Sequence, residues 1–350
     1  MMYPLFRWAN IVLVVFTLVV YWFSGTNPER FWGFALLTPT FPWLLLLHLL
    51  FIAGWLLLRK PYFLFSFCCI LLGWGQLTAF IGWHGSAAAT PQETSLRVLT
   101  YNVFMLRALP RPQGAERGKE DEAFFAFIRQ QEPLDVLCTQ ESSKSVSNSI
   151  AAGCHFPNVY FGKGKGTTIY SRHPFLDKGS VEFPGSENSC IWVDLQIGDR
   201  KVRVYNVHLQ SNHISDEANR LAEEGDLQER ETWRGIRGMM AKFKRAAVMR
   251  ADQVQRVVEH LSTSPHPVIV CGDLNDTPLS YSYRHLTADA GLIDVFKERG
   301  AGLGTTYAGV LPALRIDYIL ADPRIRTLDY RILRRSFSDH YPVIGELALP

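Results

Sequence analysis

Charged residues are nearly absent from the first 90 residues of this 350-residue chain. That stretch contains only five of them: Arg7, Glu29, Arg30, Arg59 and Lys60. It therefore lacks the charged groups that normally cover a soluble domain. Three apolar runs occupy it instead, at roughly residues 8–23, 42–58 and 62–83. Because a membrane-spanning helix needs about 20 mostly apolar residues, we predict a transmembrane region of about three helices over residues 1–84.

The few basic residues of this region predict its orientation. Arg7 precedes the first run and the Arg59-Lys60 pair separates the second from the third, so all three share one side, whereas Arg30 lies in the first loop. Basic loops favour the cytoplasmic side of a membrane. We therefore predict an integral protein of the plasma or inner membrane. Its soluble part, joined by a linker over residues 85–94, is expected outside the cytoplasm.

The soluble part, residues 95–350, lacks a net charge. Of the 36 basic and 33 acidic residues in the chain, 32 of each follow residue 90. A neutral domain has no global attraction for nucleic acid or another polyanion. Any such substrate would need a local basic patch.

Cysteine is scarce, and the six cysteines present lack the paired spacing of a structural zinc site. Two of them, Cys138 and Cys271, lie in apolar strand-like runs, where a buried thiol is expected. Cys154 and Cys190 would be able to form a disulfide in an extracytoplasmic domain, but sequence alone does not show whether they meet.

Eight short apolar runs that end in polar residues predict β-strands in the soluble part. They are residues 96–103, 134–139, 167–170, 191–197, 202–208, 268–271, 316–320 and 343–347. Helical periodicity marks residues 120–130 and 244–261. Strands outnumber helices and several are joined by short turns, so we predict an α+β layer structure with mixed or antiparallel sheets. Residues 211–237 are polar without clear periodicity, which predicts an insertion or mobile loop near the site.

Carboxylate, amide and imidazole side chains recur at the ends of these strands. They are Asn102, Glu141, His208, Asp273, Asn275, Asp317, Asp339 and His340. Strand ends converge at one edge of a sheet, so these groups are expected to meet in one cleft. Hard oxygen ligands such as Glu141, Asp339 and Asn102 suit Mg²⁺ or Mn²⁺. Such an ion would polarise a phosphoryl oxygen and stabilise the leaving oxyanion.

The same set contains the groups needed to activate water. A His–Asp pair would remove its proton, with the carboxylate holding the imidazole tautomer. An imidazole with its ordinary pKa near 6.5 is neutral at working pH and can accept that proton. Each motif alone has a simpler explanation, such as a turn at Asp273 and Asn275 or a core position for His208. Six such coincidences in one chain are much harder to explain in that way.

Six motifs, in order, resemble those of the endonuclease/exonuclease/phosphatase superfamily. They are Leu99-Thr-Tyr-Asn102, Gln140-Glu141, Asn206-Val-His208-Leu209, Gly272-Asp273-Leu-Asn275, Arg315-Ile-Asp317-Tyr318 and Ser338-Asp339-His340-Tyr-Pro342. The resemblance covers roughly residue 95 to the C-terminus. It implies a four-layer α/β/β/α sandwich of two mixed sheets with helices outside.

The resemblance also implies roles for the site residues. The metal, one ion or two, would bind at Asn102, Glu141 and Asp339. His340 would be the general base, oriented by Asp317. Asp273 and Asn275 would contact the scissile phosphate or position the nucleophile. His208 would stabilise the phosphoryl oxygens, and Asn102 is a further candidate for substrate contact.

Three hypotheses for the function remain open at this point. The first is a nuclease-like phosphodiesterase, for which Lys163-Gly-Lys165 and Lys242-Phe-Lys244-Arg245 offer phosphate contacts. The second is a sphingomyelinase-like phospholipase or a lipid or inositol phosphatase, because the anchor would hold the cleft near lipid headgroups. The third is a catalytically silent membrane-tethered module, against which the complete motif set argues. The expected partners are a phosphoester substrate and the lipid bilayer.

Overall fold

An apolar helical region precedes two stacked β-sheets in a computed structural model of the protein. The structure describes residues 2–90, 93–106, 117–162, 166–212, 230–309, 313–335 and 337–350. The helical region contains α1 (Met2–Phe23), α2 (Pro28–Phe31), a 3₁₀ helix (Trp32–Thr40), α3 (Phe41–Leu57), α4 (Phe63–Leu72) and α5 (Trp74–Phe80). Two helices, Tyr3–Phe23 and Pro28–Leu57, are long and apolar enough to cross a membrane.

The third predicted run forms two short helices instead of one. Helices α4 and α5 are bent by 75° and make a third crossing only if they count as one span. Gly73 lies at the bend, and a β-carbon there would lie 2.2 Å from the Tyr21 ring. A side chain at position 73 would therefore displace the Tyr21 ring of α1, and this approach is a tertiary contact that apolar length and composition do not encode.

A buried polar network joins the helices of this region. The His48 ring of α3 lies 2.9 Å from the hydroxyl of Thr17 in α1 and 2.9 Å from that of Ser66 in α4. Asn10 of α1 also donates to Ser66 at 2.6 Å. Polar side chains between apolar helices satisfy one another in this way, so the network holds α1, α3 and α4 in register.

Fourteen described strands follow the order of the chain. They are β1 (Ile81–Trp83), β2 (Thr94–Asn102), β3 (Val136–Gln140), β4 (Asn158–Phe161), β5 (Thr168–Ser171), β6 (Phe175–Val181), β7 (Ser189–Ile197), β8 (Arg200–His208), β9 (Val268–Asp273), β10 (Ile293–Asp294), β11 (Ala301–Leu303), β12 (Asp317–Ala321), β13 (Arg326–Ile332) and β14 (Val343–Leu349). One six-stranded sheet has the order β13-β14-β2-β3-β5-β4 and the other β10-β12-β9-β8-β7-β6. Both are mixed, since β2–β3 and β8–β9 are parallel and the other pairs are antiparallel.

Apolar faces of the two sheets pack against each other. Val98 and Val136 of the first sheet share a buried cluster with Val193 and Val204 of the second. The outer face of the first sheet is covered by α6 (Arg117–Arg129) and α7 (Lys144–Gly153). The outer face of the second is covered by α8 (Arg230–Leu261). The predicted four-layer α/β/β/α sandwich is confirmed.

All eight predicted strands are present, and two shorter helices, α9 (Tyr281–Arg284) and α10 (Val295–Arg299), connect later strands. Helix α8 begins at Arg230, 14 residues before the predicted start at residue 244. Phe243 and Ala247, on either side of that predicted start, pack on Ala35 of the helical region. Residues 213–229, most of the predicted loop, lie outside the described residues.

The helical region is docked on the sandwich. Strand β1 pairs antiparallel with β11. Leu279 of the sandwich is fully buried in a cluster with apolar side chains of α1, α3 and α5. Arg315 donates to the carbonyl oxygen of Ala79 at 2.8 Å, and Arg284 donates to that of Tyr21 at 2.9 Å. The two regions therefore meet through apolar contacts, hydrogen bonds and strand pairing together.

The predicted linker also contacts the sandwich. The Ala87 amide donates to the carbonyl oxygen of Leu328 at 2.6 Å, and Glu93 forms an ion pair with Arg326. Residues 91 and 92 lie outside the described residues. The predicted domain limits at residues 84 and 95 stay predictions.

The disulfide considered for Cys154 and Cys190 is not formed. Both residues are buried free thiols. Cys154 follows α7 on the outer face of the first sheet, whereas Cys190 lies in β7 of the second sheet. The two thiols therefore belong to different layers of the sandwich.

Candidate active site

The predicted site residues lie at or next to the ends of strands, at one edge of the sandwich. Strand β2 ends at Asn102, which pairs in register with Gln140 at the end of β3, immediately before Glu141. Strand β8 ends at His208, which lies opposite Asp273 at the end of β9. Strand β12 begins at Asp317, which also lies opposite Asp273. The expectation that strand ends bring these groups into one cleft agrees with this register.

Asp273 lies at the centre of the cluster. One carboxylate oxygen, Oδ2, accepts from the side-chain amides of Asn102 at 3.1 Å and Asn275 at 3.2 Å. The other, Oδ1, accepts from the Asn275 backbone amide at 2.7 Å. The Nε2 atoms of His208 and His340 each lie 3.9 Å from Oδ2. Both predicted imidazoles therefore lie near the same carboxylate oxygen of Asp273.

Asp317 and His340 form the predicted pair. His340 Nδ1 lies 3.1 and 2.9 Å from the two carboxylate oxygens of Asp317. Both side chains are buried. Their contact fixes the protonated tautomer at Nδ1 and leaves Nε2 directed toward Asp273.

Glu141 stands on the open side of the cluster. Its side chain is 25% exposed, and its Oε1 lies 3.7 Å from His208 Nε2. The Asn102 side-chain amide donates to the same oxygen at 3.2 Å. The Glu141 backbone has a φ of 52°, which is uncommon for a residue with a side chain. Such backbone strain is typical of functional sites.

The turn after β2 shares this strained geometry. Phe104, Met105 and Leu106 have φ values of 44°, 53° and 54°. The Met105 amide donates to the Glu141 carbonyl oxygen at 2.8 Å. This bond holds the turn beneath Glu141, so the strain is balanced by contacts to the site.

Gly272 allows the central strands to approach each other. It has a φ of 139°, and a β-carbon there would lie 1.9 Å from the carbonyl oxygen of Val207. No side chain fits in that space. Glycine at this position therefore brings Asp273 against the end of β8, where His208 lies.

Asp339 is connected to Asn102 of the cluster through Ser338. The Ser338 hydroxyl donates to the Asn102 carbonyl oxygen at 2.7 Å and lies 3.2 Å from Asp339 Oδ1. The Asp339 side chain is partly exposed. Glu141 and Asn275 are also partly exposed, whereas Asp273, Asp317 and His340 are buried.

Burial and neighbouring charges shift the central pKa values. Burial raises the pKa of the Asp273 carboxyl to about 7, although His340 acts in the opposite direction. Burial alone would lower the pKa of His340, but Asp317 and then Asp273 outweigh it and raise that pKa to about 10. His340 therefore departs from the expected imidazole with an ordinary pKa near 6.5.

The donor chemistry of the site fits a hard divalent cation. Asp273, Asp317 and His340 each offer a ligand atom within 4.8 Å of the others. A bound dication would favour the ionised form of the Asp273 carboxyl, whose pKa is raised mainly by burial, and carboxylate oxygens suit Mg²⁺ or Mn²⁺. Asn102, however, turns its amide nitrogen to the carboxylates, while its oxygen accepts the Phe104 amide at 3.1 Å. Its predicted ligand role, like those of Glu141 and Asp339, stays a prediction.

Two further residues at the site, Thr306 and Tyr307, were not predicted from the sequence. The Thr306 hydroxyl accepts the backbone amides of Ile316 and Asp317, both at 3.0 Å. The Tyr307 ring lies edge-on to the His340 ring, with 5.4 Å between centroids. Both belong to a segment outside the predicted motifs, and only the fold brings it to the site.

A comparison with models of protein families identifies the family of this chain. The model of the endonuclease/exonuclease/phosphatase family matches residues 99–340. The chain belongs to the endonuclease/exonuclease/phosphatase family. Its members are phosphoesterases and nucleases, and the chain is accordingly a phosphoric ester hydrolase. A second model, described as a domain of unknown function (DUF8431), matches residues 3–80.

Solved structures share the fold of this family member. An endonuclease/exonuclease/phosphatase from Beutenbergia cavernae DSM 12333 is 21% identical, has a TM-score of 0.53, and aligns over 73% of this chain and 72% of its own. The human Nocturnin catalytic domain with bound sulfate is 15% identical, with a TM-score of 0.51 over 74% of this chain and 98% of its own. A humanised D. rerio TDP2 is 17% identical, with a TM-score of 0.51 over 72% and 98%. No curated protein matches the chain.

Proposed function

We propose that this family member is a membrane-tethered phosphodiesterase that requires Mg²⁺ or Mn²⁺. The observation that carries the proposal is the cluster around Asp273, in which two imidazoles and two amides converge on one buried carboxylate. The tether is the apolar region, in which Tyr3–Phe23 and Pro28–Leu57 are long and apolar enough to cross a membrane. By the distribution of basic residues, the sandwich lies outside the cytoplasm.

Each site residue has a separate role in the proposed hydrolysis. A divalent cation held by Glu141 and its neighbours would polarise a phosphoryl oxygen and stabilise the leaving oxygen. His340 Nε2 accepts the proton of the attacking water, since Nδ1 is held by Asp317. Its raised pKa keeps the ring protonated at neutral pH until the neighbouring carboxylate charge is neutralised. Asp273 and Asn275 orient the water, and His208 donates to a phosphoryl oxygen as charge develops.

A membrane lipid fits the substrate site better than nucleic acid. The loop that carries Asp273 and Asn275 continues to Leu279, which is buried among the apolar helices. The basic patch offered for nucleic acid, Lys242, Lys244 and Arg245, is exposed on α8. It flanks Phe243, which packs on the helical region, so these charges lie beside the membrane. The other proposed contacts, Lys163 and Lys165, lie outside the described residues.

Hydrolysis of bis-p-nitrophenyl phosphate by the full chain in detergent tests the proposed reaction. We expect turnover with Mg²⁺ or Mn²⁺ and none with a chelator. A panel of DNA, RNA, sphingomyelin and phosphoinositides under the same conditions tests the substrate class. Undiminished turnover in the chelator would contradict the metal requirement, and hydrolysis of DNA alone would restore the nuclease hypothesis.

A further inference from the structure

An apolar groove lies where the membrane helices meet the sandwich. It has a volume of about 230 Å³. One wall is the start of α3, with Trp43 and Leu46, and the other is formed by Leu303, Thr305 and Ala313 of the sandwich. Among the described residues that line it, Thr305 alone carries a hydroxyl. A peptide in this groove would bury backbone amides and carbonyls without partners, whereas a hydrocarbon chain would not.

The groove opens toward the surface that faces lipid. Leu46 and Trp43 are 47% and 51% exposed on a helix able to span a membrane. Tryptophan favours the boundary between the hydrocarbon and headgroup layers. A chain that leaves the bilayer beside Trp43 would therefore reach the groove without crossing water.

The groove is joined to the catalytic centre by a short segment of chain. Thr305 lines the groove, and Tyr307, two residues later, pairs with His340 in a β-bridge. Two residues of extended chain span at most about 7 Å. Thr305 and Tyr307 are both partly exposed, while Thr306 between them is buried. This alternation places Thr305 and Tyr307 on one side of the segment.

We propose that the groove binds a hydrocarbon chain of the substrate, while the attached phosphodiester lies at Asp273 and His340. The substrate class is then a phosphodiester of a membrane lipid, taken directly from the bilayer. The inference rests on the proposed phosphodiesterase function and adds the site that recognises the apolar part of the substrate. The segment from Thr305 to Tyr307 connects the groove, which would bind the hydrocarbon chain, to the catalytic centre, which would bind the phosphodiester.

Alkyl p-nitrophenyl phosphodiesters with methyl, butyl and octyl chains test this site, using the full chain in detergent with Mg²⁺. The reacting group is the same in all three, so only the chain differs. Burying two methylenes is enough to raise kcat/KM about tenfold. We expect a rise of at least about tenfold from the methyl to the octyl ester in the natural sequence.

Two variants narrow the groove from opposite walls, Leu46→Trp in α3 and Thr305→Phe in the sandwich. Each should reduce the octyl-to-methyl ratio of kcat/KM to about threefold or less, because the added ring occupies the space of the chain. Leu72→Trp is the matched control. Leu72 is 73% exposed on α4 and does not line the groove, so this variant should keep the full ratio, including any gain from partition into detergent.

The outcomes separate this inference from the proposed function. A ratio unchanged in both groove variants would overturn the inference, as would equal rates for all three esters in the natural sequence. In either case, metal-dependent turnover of the methyl ester would leave the phosphodiesterase function standing. The absence of turnover for every ester would contradict the phosphodiesterase function itself, and the lipid inference with it. Size-exclusion chromatography in detergent verifies that each variant is folded.

Discussion

Asp317 and His340 are joined by two contacts, with Nδ1 of the ring 3.1 and 2.9 Å from the two carboxylate oxygens. The ring is thereby oriented so that Nε2 lies 3.9 Å from Asp273. That distance is too long for a direct hydrogen bond. It leaves Nε2 as the atom that can take a proton from a water held beside Asp273.

His340→Ala should lower kcat about 10²–10⁴-fold, the usual contribution of a positioned general base. Asp317→Asn should lower it less, because the amide still hydrogen-bonds to Nδ1 but cannot offset the imidazolium charge. The two residues act as a unit, so their losses should not multiply in the double variant. Steady-state kinetics with bis-p-nitrophenyl phosphate measure all three. A double variant whose loss equals the product of the single losses would transfer the base role to Asp273 or His208.

Glu141→Gln should remove most of the activity while the domain still folds. The change keeps the shape of the side chain and removes one anionic oxygen ligand. Turnover at limiting and saturating Mg²⁺ gives the readout, with circular dichroism as the folding control. Glu187→Gln, outside the site cluster, is a matched change that should leave turnover unaltered. Near-normal turnover of Glu141→Gln at limiting Mg²⁺ would exclude Glu141 as a ligand.

The stability of the metal-free protein should fall as pH rises. The Asp273 carboxyl has a pKa raised from 3.8 to about 7, so its contribution is present at low pH and lost as pH rises through about 7. The His340 pKa is raised from 6.5 to about 10, so its contribution is present below 6.5 and lost as pH rises through about 10. The folded state binds more protons than the unfolded state in both windows.

Thermal unfolding in chelator from pH 5 to pH 10 measures this dependence. Asp273→Asn removes the first titration, so the Tm of the natural sequence should fall relative to that of this variant as pH rises to about 7. Stabilisation by Mg²⁺ should instead grow with pH, because its ligands must be deprotonated. A difference in Tm that is constant over that range would show that Asp273 titrates normally.

Arg315→Met should destabilise the protein by about 3–5 kcal/mol, the usual cost of breaking a buried ion pair. Arg315 is fully buried and donates to Asp294 at 2.7 and 2.5 Å, and to Ala79 of the helical region at 2.8 Å. Arg324→Met is the matched control, since Arg324 is 61% exposed in its pair with Asp322. Exposed pairs contribute only about 0–1 kcal/mol. Equal losses in chemical unfolding of the two variants would contradict the role of Arg315.

A reporter fused to the C-terminus tests the proposed orientation. Arg7, Arg59 and Lys60 favour the cytoplasmic side, so a reporter that is active only in the cytoplasm should be silent. The same reporter fused after residue 60 would lie on the opposite side of the proposed third crossing. It should be active there, and it provides the control. Activity of the C-terminal fusion would place the catalytic domain in the cytoplasm.

The sequence by itself determined the class of the fold and predicted which residues form the site. Strand periodicity is local, so the eight apolar runs were recognisable without any tertiary information. Polar residues immediately after such runs, as at Asn102, Glu141 and Asp273, mark strand ends that share a sheet edge. The apolar helical region was equally clear, because hydrophobic length is a property of the sequence itself.

Only the tertiary structure decided how these parts act on one another. Gly73, at the bend, lies close to the ring of Tyr21, and the pKa of His340 depends on the carboxylates of Asp317 and Asp273 in two separate strands. Thr305 and Tyr307 belong to no motif, yet the fold places them between the apolar helices and the pair of Asp317 and His340. Packing distances and electrostatic fields arise between segments far apart in the chain, which is why local patterns did not reveal them.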